Sequence, residues 1–188
     1  MRFKRKFATL TMTLALSAGL TACGTNDNTM NDMPDESMGE MDHGNMDMSG
    51  SREVPTGLQE AENPTFDVGD QAVITEAHMP GMEGAEATIV GAYDTVVYSI
   101  SYDPMHGGER VRDHKWIIHE EIVDAKAGAY EPGDEVTVDA EHMSGMGGAT
   151  ATIDSAEETT VYMVDFELDN GERVTNHKWV TEDELSAN

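Results

Sequence analysis

Residues 30–48 contain six methionines (Met30, Met33, Met38, Met41, Met46 and Met48) and one histidine, His43, with no Leu, Ile, Val or aromatic residue among them. A hydrophobic core cannot explain these methionines, because every other residue useful for one is missing. What sets Met apart is a soft, uncharged thioether sulfur that ligates soft ions such as Cu(I). The chemistry expected of this stretch is copper binding, with Cu(I) favoured over Cu(II). The competing reading is a plain solvated tether, for which oxidation-prone Met is an odd building material.

A second set of soft ligands follows a repeated motif. His78-Met79-Pro80-Gly81-Met82 returns as His142-Met143-Ser144-Gly145-Met146. Each Gly-containing loop offers one nitrogen and two sulfurs, enough for a three-coordinate Cu(I) site. Equally, its methionines could cap a core while the histidine bonds to backbone. Met105 and His106 fall in a one-residue insertion that only the first copy carries, and form a further soft pair. His114 and His177 stand two residues before Trp116 and Trp179. On a regular strand they would share the Trp face, so they read first as core histidines and second as extra ligands.

The elements that must position these groups begin with a targeting segment. Arg2, Lys4, Arg5 and Lys6 precede an apolar run at residues 7–20. That run is shorter than the roughly 20 residues a membrane-spanning helix needs, and fits the apolar region of a secretory signal. Leu20-Thr21-Ala22 leads into Cys23, the one cysteine of the chain. Residues 1–22 are therefore expected to be a lipoprotein signal peptide, with lipid on Cys23 anchoring the protein to the outer face of a bacterial cell membrane. Loss of the four basic residues would take the formal net charge from −26 to about −30. Such a chain repels nucleic acid and gathers cations. With Cys23 alkylated, no thiolate remains and soft ligation falls to Met and His.

Residues 23–65 read as a lipidated, disordered Met/Asp-rich tether, since their few apolar residues show no period. Beyond them the chain repeats itself. Gly69-Asp70 returns at Gly133-Asp134, Ala87-Thr88-Ile89 at Ala151-Thr152-Ile153, and Thr95, Val97 and Tyr98 at Thr159, Val161 and Tyr162. Gly108-Glu109-Arg110-Val111 and His114-Lys115-Trp116 match Gly171-Glu172-Arg173-Val174 and His177-Lys178-Trp179. Each copy alternates β-branched and polar residues, and Asp169-Asn170-Gly171 is a hairpin turn signal. The fold class expected is all-β: two tandem small SH3-like β-barrel repeats, residues 66–125 and 130–186, after a disordered Met-rich N-terminal tail. Units this small bury modest cores, so packing between the copies is expected to contribute. Metal is not expected to be required for folding.

The signal, the Met-rich acidic tail and the two copies of Gly-Asp, His-Met-x-Gly-Met, Thr-x-Val-Tyr and His-Lys-Trp together resemble the YdhK family of bacterial lipoproteins. The resemblance covers nearly the whole mature chain. It implies kinship with a copper-resistance lipoprotein, CopL, described as extracellular and copper-binding. It also implies that His78, Met79 and Met82, with His142, Met143 and Met146, are the domain positions to inspect first.

Two functions follow. The first is a membrane-anchored extracellular lipoprotein that captures or buffers copper in copper resistance, with a copper-exporting ATPase as a candidate partner. The second is a cell-envelope interaction module gripping wall polymer, with no metal role. An enzyme is not expected, because no nucleophile elbow, phosphate-cradling loop or dense His/acid cluster is found.

Overall fold

The computed structural model describes residues 49–188. The signal segment, Cys23, Met30, Met33, Met38, Met41, His43, Met46 and Met48 lie outside the described residues. Eight strands follow in order: β1 Gln59–Glu60, β2 Gln71–Ile74, β3 Glu86–Tyr102, β4 Val111–Ile118, β5 Glu135–Thr137, β6 Thr150–Glu167, β7 Arg173–Thr181 and β8 Leu185–Ala187. Two short 3-10 turns, His119–Glu121 and Glu182–Glu184, occupy matching places in the two repeats. The Asn170-Gly171 signal makes the expected tight turn between β6 and β7, with Gly171 at φ 83° and its N–H donating to Leu168 O at 2.8 Å.

The long strands decide the architecture. β3 has 17 residues and β6 has 18, so each extends about 55 Å at roughly 3.3 Å per residue. That is too long for one small barrel. They pair antiparallel along their length, from Ala87↔Phe166 to Tyr102↔Ala151. On its other edge β3 receives β2, β1 and β4, while β6 receives β5 and β7. β8 of the second repeat pairs with β2 of the first, and Ile122 of the first bridges to Val138 of the second. The result is an open eight-stranded sheet rather than two closed SH3-like barrels.

The repeat boundaries are not the core boundaries. One core combines Phe66, Ile74 and Ile89 with Tyr162, Val164, Val180 and Leu185. The other combines Tyr98, Ile100 and Ile117 with Val138, Met146 and Ile153. A central cluster holds Val97, Trp116 and Ile118 against Val161, Met163 and Trp179. Side-chain alternation along the strands produces this division. Tyr162 and Val164 enter one core while Val161 and Met163 face the central cluster. Residues 66–125 and 130–186 therefore exchange halves instead of forming a core each.

The tether expected to run to residue 65 is tied down from Ser49 onward. Gly50 N–H donates to Thr175 O at 2.8 Å, and Ser49 Oγ accepts from Thr175 N–H at 3.1 Å. Leu58 packs on the central cluster, and β1 pairs with β3. Tertiary pairing here supplies order that local composition does not signal.

Candidate functional site

Two glutamates missed by the sequence reading organise the interior. Glu121 and Glu184 close the two 3-10 turns and are 4% and 3% exposed. A buried carboxylate is costly unless donors surround it. Glu184 accepts the Thr181 N–H at 2.9 Å, the Trp116 Nε1–H at 3.0 and 3.1 Å, and a bond from His78 Nε2 at 2.7 Å. Glu121 accepts the Ile118 N–H at 3.1 Å, the Trp179 Nε1–H at 3.2 Å, and a bond from His142 Nε2 at 2.8 Å. In each array the carboxylate comes from one repeat, and the His and Trp come from the other. Burial alone would raise the Glu184 carboxyl, but the His78 bond and charge, helped by the Thr181 N–H, hold it below its ordinary value. The signal that could have singled out these acids is their matched position, each directly before an apolar residue (Ile122, Leu185) in both repeats.

The His-Met loops divide their ligands. Met82 and Met146 are fully buried, one in each core, so the core-capping reading describes them. Met79 is partly buried against the first core, whereas Met143 is 37% exposed. His78 and His142 bond to carboxylates, not to backbone.

Each loop meets a hairpin of the other repeat, and here the symmetry fails. Met105 N–H donates to Gly145 O at 2.9 Å, docking the inserted turn against the 142–146 loop. Gly145 has φ 79°, and a Cβ there would stand 3.1 Å from Pro104 Cβ, so the close approach needs glycine. The corresponding Gly81 faces Leu168 instead. Met105, His106, His142, Met143 and Met146 are thus gathered at one end of the sheet, with Met105 58% exposed. The opposite end has no Met-His insertion.

His114 belongs to that same end. A register shift between Tyr98 and Ile100, whose partners are Ile117 and His114, breaks the strand regularity on which a shared Trp face depends. Trp116 joins the central cluster, while the His114 ring lies 6.3 Å from Tyr102 and 6.2 Å from His142. Burial first, then the neighbouring His142 and His78, bring His114 down to about 4, against an opposing pull from Glu121. His177 is buried with its ring 5.6 Å from Phe166, as a core histidine would be.

Among the described residues, no three His, Cys, Asp or Glu side chains converge as a metal-holding group. A site built here on imidazole nitrogen and thioether sulfur suits a soft ion better than calcium or magnesium, which take oxygen ligands. Elsewhere, a groove of about 470 Å³ opens beside Asp94, Thr95, His119, Glu120, Glu158 and Thr159. Its donors are oxygens and one histidine already bonded through both ring nitrogens, to Tyr98 and to Lys126 O.

The family described as "Protein of unknown function (DUF1541)" matches residues 68–119 and again 132–182. The chain is 55% identical over 183 residues to "Uncharacterized protein YdhK" of Bacillus subtilis (strain 168), covering 97% of this chain and 89% of the relative. The crystal structure of that DUF1541 family protein superposes with a TM-score of 0.74 at 60% identity, covering 78% of this chain and all of the other. A solution structure of the YdhK C-terminal domain gives 0.62 at 61% identity, covering 65% of this chain and 93% of that one. Both halves of the duplication and nearly the whole length are matched, and the chain belongs to the DUF1541 family, that of YdhK.

Proposed function

We propose that this protein captures copper as Cu(I) outside the cell, held to the membrane surface by lipid on Cys23, and buffers it or passes it to an exporter. The observation that carries this reading is the run of six methionines at residues 30–48 without one core-forming neighbour. Thioethers have no proton to lose near neutral pH and form no disulfides, so they stay competent ligands where thiolates fail. The surrounding acids concentrate cations by a field that salt screens. The gathering of Met105, Met143, His106 and His142 at one end of the sheet adds donors of the same soft class.

The test is competition with a chromophoric Cu(I) chelator under anaerobic conditions. The mature protein is expected to strip copper from the chelator and to ignore Zn(II) at equal concentration. A chelator spectrum unchanged by the protein sinks the proposal. The envelope-module reading has the oxygen-lined groove beside Thr95 and Thr159 in its favour. Retention on purified cell wall by a variant that binds no copper would select it.

A further inference from the structure

Three polar atoms lie buried without a hydrogen-bond partner along one chain of ring contacts: Tyr102 Oη, His114 Nε2 and His142 Nδ1. Buried polar atoms are nearly always satisfied, and an orphan calls for a water or an ion. Three together, on residues from both repeats, form a prepared place. We propose that His114 Nε2 and His142 Nδ1 hold one Cu(I) ion between the two repeats, at the end of the sheet where Met105 and Met143 are exposed. The proposal rests on the copper reading above and gives the folded part of the chain a site of its own, apart from the tail.

The tautomer follows from the hydrogen bonds. Glu121 receives the Trp179 Nε1–H and the Ile118 N–H, so it acts as an acceptor and His142 Nε2 must be the donor toward it. In the neutral ring the lone pair is then on Nδ1, the orphaned atom. A carboxylate on the far nitrogen is the usual outer partner of a metal-binding histidine, fixing its orientation and raising its basicity. His114 offers an unpaired Nε2 from the other repeat. With metal–nitrogen bonds of about 2.0 Å, two imidazoles facing one ion place their ring centres roughly 6 Å apart. The observed separation is 6.2 Å. Two-coordinate binding by neutral nitrogen suits a monovalent soft ion, and among the described residues no group of three His, Cys, Asp or Glu converges to favour a divalent competitor.

The opposite end is not equivalent. Phe166 occupies the place of Tyr102, and Leu168 meets Gly81 where Pro104 and Met105 meet Gly145. The repeat counterparts of the two ligands, His177 and His78, carry no buried ring nitrogen without a partner, so one site is expected among the described residues.

The experiment starts from the full mature chain with its six tail methionines replaced by Leu, titrated anaerobically with Cu(I) in chelator competition. His142→Gln keeps an N–H donor for Glu121 but removes Nδ1, and His114→Phe keeps a ring against Tyr102 but removes Nε2. The tail variant should retain one tight equivalent, lost from each His variant. If the tail variant binds none while the parent binds copper, this site falls and the tail reading stands. If the His variants keep the equivalent, the orphan atoms hold only water and the site falls. If the parent itself takes no copper, both proposals fail. Should a His variant unfold, NMR of the folded tail variant decides: Cu(I) must shift the ring protons of His114 and His142, and shifts confined to other histidines overturn the assignment.

Discussion

Thr95 and Thr159, which hold the same position in the two repeats, are direct cross-strand partners. The duplication therefore folds back on itself about this pair, and each core receives the first half of one repeat and the second half of the other. Residues 66–125 alone keep Ile74 and Ile89 but lose Tyr162, Val164, Val180 and Leu185 from their core. That fragment is expected to give a random-coil far-UV circular dichroism spectrum and collapsed amide dispersion. Residues 49–188 should instead unfold in one cooperative transition. A well-dispersed spectrum from the lone repeat would refute the exchanged architecture.

Glu121 and Glu184 each stitch the repeats together through a buried Trp and His of the other copy. Truncating either leaves an indole N–H, a backbone N–H and a histidine nitrogen without their shared acceptor. Glu184→Ala should cost about 3–5 kcal/mol, the range for breaking a buried charged network by removing one partner. Glu121→Ala should cost a similar amount. Substitution of the exposed Glu109 should stay within about 0.5 kcal/mol. Chemical denaturation of the purified variants measures all three.

The tight turn after β6 and the alternation of the strands were legible in the sequence because each is a local signal. The exchange of halves was not. A duplicated sequence pairs equally well within a copy or between copies, and only the lengths of β3 and β6, 17 and 18 residues, break the tie. Those lengths are hidden by Gly91 and by the run of Asp154, Glu157 and Glu158, which read as interruptions. Composition likewise does not separate Glu121 and Glu184, which are buried, from the exposed acids of the chain. The gathering of Met105 with the 142–146 loop was equally out of reach, since it joins two repeats across the exchange.

Alkali should loosen the fold through Tyr162. Its hydroxyl donates to Glu182 at 3.0 Å and accepts the Thr65 N–H at 3.1 Å. Burial first, with the Glu182 bond and charge adding to it, pushes Tyr162 up to about 12, against the lowering pull of the Phe66 and Thr65 N–H groups. The raised value means that the folded chain keeps a proton the unfolded chain loses. The contribution to stability is full below pH 10 and is lost as pH rises from 10 to 12. Tyr162→Phe should flatten that part of the stability profile, followed by denaturant midpoint against pH.

Sulfur placement gives the last prediction. Met82 and Met146 are fully buried in the two cores, whereas Met105 and Met143 are exposed at one end. If exposure to the incoming ion governs capture, Met82→Leu and Met146→Leu should leave copper stoichiometry unchanged. Each should cost less than about 1.5 kcal/mol, as volume-conserving core swaps do. Met105→Leu and Met143→Leu should leave stability unchanged, because neither side chain fills a core, yet should slow copper uptake from the chelator. Stopped-flow transfer kinetics beside thermal melts separates the two pairs. Equal slowing by the buried pair would mean that the cores open to admit the ion, and that burial in the resting fold does not decide which thioethers act.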